Sequence, residues 1–175
     1  GGSGFIAVKE KGSATKVSGM WSMQDQYEAA LQNNWSFASP FGNVNILAIG
    51  GGAGGGTDRS GGGGAGGYQY NTALTLGTGQ GYNVIIGGAG SGTCHPTTCA
   101  GGTGGVTSLS GPDIQIMTSS GGGGGAPGSA PTAGRSGASG GGARGGCAAC
   151  GGCGNTPAQF VSQGNDGGPG SGASG

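Results

Sequence analysis

The sequence predicts a mainly β protein in which short apolar strands run into glycine-rich polyglycine II rods. A small β-sandwich-like body and one short N-terminal helix complete the expected fold. Three observations carry that expectation. Fifty-two of the 175 residues are Gly, without the strict three-residue period that collagen needs because only Gly fits its axis. Apolar runs of strand length repeatedly deliver the chain into glycine: Val44-Asn45-Ile46-Leu47-Ala48-Ile49 enters 50–56, and Tyr82-Asn83-Val84-Ile85-Ile86 enters 87–90. Six Lys+Arg balance six Asp+Glu, so the high net charge common in disordered chains is missing.

Glycine loses more backbone freedom on ordering than any other residue, so mobile tracts are the competing reading. Polyglycine II offers a way out, because rods without side chains approach closely enough to exchange N–H···O=C bonds in several directions. Each such bond contributes roughly 0.5–1.5 kcal/mol net against about 1–2 kcal/mol of ordering per residue. These terms nearly cancel, so the apolar strands must tip the balance.

Taken in order, Phe5-Ile6-Ala7-Val8 reads as a strand and Lys9-Glu10-Lys11-Gly12 as a solvated turn. Ser22 caps a helix expected over 23–32, with Asp25 completing a capping box. Met23, Tyr27, Ala30 and Leu31 fall on one face of it, and Trp21 and Trp35 bracket it. Pro40 and Gly42 mark a boundary between an N-terminal attachment segment, 1–42, and a glycine-rich domain, 43–175. Residues 68–76 read as a strand, and 77–81 as a turn. Tyr68, Tyr70 and Tyr82 are expected to fill the narrow strand core, with sugar stacking as the alternative. Strands at 106–109 and 114–117 form a hairpin about Ser110-Gly111-Pro112-Asp113, a favourable turn sequence. From 121 to 154, Gly recurs at 134, 137, 140, 146 and 152, a three-residue rhythm suited to one face of a rod, with Ala143 and Ala149 in phase. Gln159-Phe160-Val161-Ser162 is a last apolar patch.

The stretch Gly19-Met20-Trp21-Ser22-Met23 through Tyr27 to Trp35 resembles a segment of phage structural and tail-associated proteins that precedes a glycine-rich domain. The middle of the chain, from Ile46-Leu47-Ala48-Ile49-Gly50 to Val84-Ile85-Ile86-Gly87, is similar to that domain itself. The resemblance implies a body of polyglycine II rods whose loops bind a host surface, as in tail-fibre-tip adhesins. Similar modules in animal receptors mean that the fold does not fix the function.

Composition narrows the chemistry. No Lys follows Lys16, and near-zero charge argues against a nucleic-acid groove. No run approaches the roughly 20 apolar residues of a membrane span. The opening, Gly1-Gly2-Ser3-Gly4, has no signal-peptide pattern and fits a processed chain or a fragment. No glycine tract is followed by the Lys of a phosphate-binding P-loop. Arg144-Gly145-Gly146 is a single triplet where RGG binders repeat it. Cysteines stand at Cys94, Cys99, Cys147, Cys150 and Cys153. Disulfides are the expected reading, with free thiols and a metal site aided by His95 as alternatives. The second shell of a zinc centre is lacking around 147–153, so neither metal nor cofactor is expected. His95 is the lone His, without a neighbouring carboxylate, and no catalytic constellation can be nominated.

The expected function is non-catalytic. The chain reads as a structural component of a phage virion, in a tail fibre or tail tip, homo-oligomeric (a trimer is one option). Its partners would be other virion tail proteins and a host-surface glycan or protein. Trp21, Tyr27, Leu31 and Trp35 would serve attachment. Receptor contact falls to the polar breaks: Thr57, Asp58, Arg59 and Ser60; His95, Pro96, Thr97 and Thr98; and Asp113. The alternative is a secreted or cell-surface glycine-rich matrix or filament protein.

Overall fold

The computed structural model describes residues 1–10, 41–77, 79–93, 99–128, 132–146 and 151–171. These residues are mainly β and contain no helix; the helix expected over 23–32, with Trp21, Tyr27, Leu31 and Trp35, lies outside them. One antiparallel sheet has the order β1 (Phe5–Glu10), β2 (Phe41–Ile49), β3 (Tyr68–Leu76), and a second the order β4 (Asn83–Ile85), β5 (Thr107–Gly111), β6 (Ile114–Ser119). Lys9 and Glu10, expected in a turn, instead end β1, paired with Asn45 and Val44. β5 and β6 form the expected hairpin.

Alternation explains why the sheets face one another. In β2 Val44, Ile46 and Ala48 are buried while Asn45, Leu47 and Ile49 are half-buried on the opposite side. The buried trio joins Leu109 of β5 and Met117 of β6 in the core, with Ile6, Leu74, Leu76, Tyr82 and Ile114 packed around it. Tyr68 and Tyr70 do not fill that core: they are 57% and 49% exposed. The register sets them opposite Ile49 and Leu47, the residues of β2 that face away from the core.

Each strand is joined directly to a glycine tract: 1–4 before β1, 50–56 after β2, 61–67 before β3, 87–92 after β4, 101–106 before β5 and 120–126 after β6. Because the pairings are antiparallel, all six tracts leave from one end of the sheets. Their hydrogen bonds change partner with a period of three residues, the repeat of an extended three-per-turn helix. Along 50–56 the N–H groups of Gly50, Ala53 and Gly56 donate to Gly67, Gly64 and Gly61. Those of Gly51 and Gly54 donate to Gly105 and Gly102, and that of Gly52 to Gly2. Successive residues thus bond three different neighbours.

The tract 120–126 is the hub. Ser120, Gly123 and Ala126 accept from Gly67, Gly64 and Gly61; Gly122 and Gly125 accept from Gly104 and Gly101; Gly121 and Gly124 accept from Ala138 and Arg135. Its own N–H groups donate to Gly51, Gly54, Ser139 and Gly142. Closeness requires glycine here. A Cβ on Gly121, Gly124 or Gly125 would fall onto the carbonyl oxygen of Gly104, Gly101 or Gly61 respectively.

The chain after 126 adds further tracts. Residues 134–138 run back along the hub, and 139–146 run outward beside 61–67. Within 139–146 the three-residue rhythm holds: Gly140, Ala143 and Gly146 donate to Asn165, Gly168 and Ser171, while Ser139, Gly142 and Gly145 donate to Ala65, Gly62 and Arg59. A bend at 137–139 breaks the phase expected to continue from Gly134 and Gly137. Gln163 fastens this added layer to the sheets. Its buried amide accepts from the Ser120 N–H at 2.8 Å and donates to the Thr118 carbonyl at 2.7 Å.

Candidate functional site

The tracts place polar breaks at the end of the molecule away from the sheets. The turn 57–60 joins two antiparallel tracts, 50–56 and 61–67, and there Asp58 and Arg59 have left-handed backbone, with φ of 61° and 53°. Consecutive positive φ values are what a tight primed turn between antiparallel segments demands. Neither residue is glycine, so local strain on the order of 1–2 kcal/mol each is held by the surroundings. The Arg59 carbonyl accepts from the Gly145 N–H at 3.2 Å, which fixes the turn to the neighbouring tract. Asp58 and Arg59 are exposed; Thr57 and Ser60 are half-buried.

Thr93 enters the next break from the tract after β4. Its hydroxyl donates to the Gly55 and Cys99 carbonyls at 3.4 and 3.3 Å. That second break therefore begins and ends beside the first. Cys94, His95, Pro96, Thr97 and Thr98 lie outside the described residues, as do Cys147 and Cys150. Cys99 and Cys153 are exposed free thiols. No group of three His, Cys, Asp or Glu among the described residues could hold a metal.

Charged residues of both signs stand at the same end: Asp58, Arg59 and Arg144. The three arginines of the chain are Arg59, Arg135 and Arg144. Arg144 stands one residue before the Gly145–Arg59 bond, and its half-buried side chain has an Nε without a partner. Arg135, exposed, lies further back, donating its N–H to Gly124 of the hub. Composition revealed no cationic cluster, because the lysines are all within the first 16 residues and the arginines are up to 85 positions apart in sequence. Only the tract pairing brings Arg59 and Arg144 together.

Asp113 is placed at the opposite end, in the β5–β6 turn. Its carboxylate accepts from the Tyr82 hydroxyl at 2.8 Å and from the Gly77 N–H at 2.7 Å. Gly77 also donates to the Tyr82 oxygen at 2.7 Å. The Tyr82 bond holds the Asp113 carboxyl below its ordinary 3.8. Desolvation, then the bond to Asp113, pushes the Tyr82 hydroxyl above its ordinary 10.0. These three residues clamp the β3–β4 turn to the β5–β6 turn.

A separate surface is the outer face of the first sheet, where register aligns Phe5, Ile49 and Tyr68 in one row and Leu47 and Tyr70 in the next. Phe160, in the loop preceding Gln163, is fully exposed. The apolar patch 159–162 was legible in the sequence; the row of Phe5, Ile49 and Tyr68 follows only from register.

What the geometry defines is a class: a two-sheet β body whose strands extend into a hydrogen-bonded bundle nearly free of side chains, with turns at its far end. A family model described as a glycine-rich domain matches residues 28–175, and the chain belongs to that family. No curated protein and no solved structure matches it.

Proposed function

We propose that this protein is a non-catalytic structural component of a phage virion, in a tail fibre or tail tip, whose glycine tracts are polyglycine II-type rods. They display the turns at their far end to a host surface. The observation that carries this reading is the joint placement of the 57–60 turn, of Thr93 and Cys99, and of the Arg144 region at one end of the bundle. A turn whose backbone is held by the lattice loses little entropy on binding, which favours recognition by short loops. The arginines there favour an anionic partner, such as an acidic surface glycan, because guanidinium groups bond carboxylate and phosphate in pairs.

The test has two parts. Mass spectrometry of purified particles should find the chain in virions. Purified protein should bind host cells and compete with phage adsorption, and Arg59→Ala with Arg144→Ala should weaken that competition at least about tenfold, the worth of roughly 1.4 kcal/mol. Recovery in a cellular envelope fraction, together with reducible high-mass ladders, would instead favour the secreted matrix or filament protein. The exposed thiols of Cys99 and Cys153 are the observation that keeps that second reading.

A further inference from the structure

The two flanks of the bundle differ. On the flank of β3 and β6 the chain covers its own edges: tract 61–67 is bonded by 139–145, and Gln163 closes over the end of β6. The other flank carries β1 and β4, the opposite edges of the two sheets, with their tracts joined where Gly4 donates to Gly87. Nothing among the described residues extends the lattice there.

Three glycines of that flank have no steric reason inside a single copy. A Cβ on Gly2, Gly88 or Gly92 would meet nothing within 4 Å, and none of the three has left-handed backbone. In the hub, by contrast, glycine is required because another backbone lies against it. The adjoining strand is equally bare: Val84, Ile85 and Ile86 are 49%, 52% and 47% exposed, three apolar residues in succession at an open sheet edge. Open edges of this kind are templates for another chain.

We propose that this flank is the interface between two copies of the chain, related by a two-fold axis along the length of the molecule. That axis lays β1 of each copy against β4 of the other. β1 follows its tract and β4 precedes its own, so the new pairing is antiparallel, like every pairing within the sheets. Each three-stranded sheet becomes half of a six-stranded one. Tract 1–4 meets tract 87–92 of the second copy, where Gly2 and Gly88 carry no Cβ to hold the two backbones apart. The contact is self-complementary, as a closed two-fold interface must be. It does not depend on the virion reading.

Light scattering after size exclusion, on the full chain under reducing conditions, should give twice the 16.1 kDa chain mass. Gly88→Ala with Gly92→Ala, and separately Ile85→Lys, should raise the dissociation constant more than about tenfold. Both should leave the circular dichroism of the single chain unchanged, and neither should lower its thermal midpoint. Gly62→Ala is the control, because Gly62 is equally open but lies on the tract bonded to 139–145. Amides 83–86 should gain exchange protection as concentration rises. A single-chain mass at every concentration, an assembly of any other number, or a dimer indifferent to the Gly88 and Ile85 variants would overturn the proposal.

Discussion

At the scale of the residue, the presence or absence of one methyl group decides stability, and neighbouring glycines give opposite signs. A Cβ on Gly61 would lie on the carbonyl oxygen of Gly142, in a buried position whose N–H bonds Ala126. Gly61→Ala should therefore cost about 1–3 kcal/mol, the usual range for forcing extra atoms into a packed site. Gly62, one residue on, is exposed, with nothing within 4 Å of an added Cβ. There Gly62→Ala should stabilise by about 0.4–1 kcal/mol, by restricting the unfolded chain. Urea unfolding midpoints of the pair check both signs; equal effects would mean that the tracts do not pack as described. Alanine already occupies buried places at Ala53, Ala126, Ala138 and Ala143, so it is position and not composition that determines where a methyl fits.

At the scale of the element, the strands were legible and the pairing of the tracts was not. The apolar run from Val44 to Ile49, and the turn residues Gly111, Pro112 and Asp113, pointed to β2 and to the β5–β6 hairpin because strands and turns are written in side chains. Tyr68 and Tyr70 misled because aromatic content does not reveal parity, and the irregular register of β2 with β3 turned them outward. A glycine tract has no side chain to mark a face. Its partners, and hence the meeting of Arg59 with Arg144, follow only from the assembled lattice. Asp113 read as a display residue because its turn is polar, while its partner Tyr82 is 31 positions away. That clamp gives a pH signature. The depressed Asp113 carboxyl contributes stability above 3.8 that is lost as pH falls through its folded value. The raised Tyr82 hydroxyl contributes below 10.0 and loses its contribution as pH rises through its folded value. Tyr82→Phe should lower the thermal midpoint at neutral pH, with the gap to the parent closing at both extremes. A gap that stayed constant as pH passed through both folded values would show that the lost stability does not come from the Tyr82–Asp113 bond.

At the scale of the whole molecule, two unlike sources of order share one chain. The sheets rest on a small apolar core, while the tracts rest on hydrogen bonds between backbones that keep few apolar atoms to bury. Heat capacity separates the two, because exposing apolar surface raises it and exposing polar surface lowers it. Unfolding should therefore show a heat-capacity change per residue well below the ~12–15 cal/mol/K of ordinary domains, and a correspondingly flat stability curve. Order in the tracts should not be correspondingly weak. Amides of Gly51, Gly54, Gly122 and Gly125, which donate to two neighbouring tracts at 2.9–3.0 Å, should exchange as slowly as those of the β2 core. The hub can open only if several neighbours part together, so its protection should vanish in one step with that of the sheets. Fast exchange at these four glycines beside slow exchange at Ile46 and Ala48 would leave the sheets standing but remove the rigid bundle, and with it the basis for the proposed display of its far-end turns.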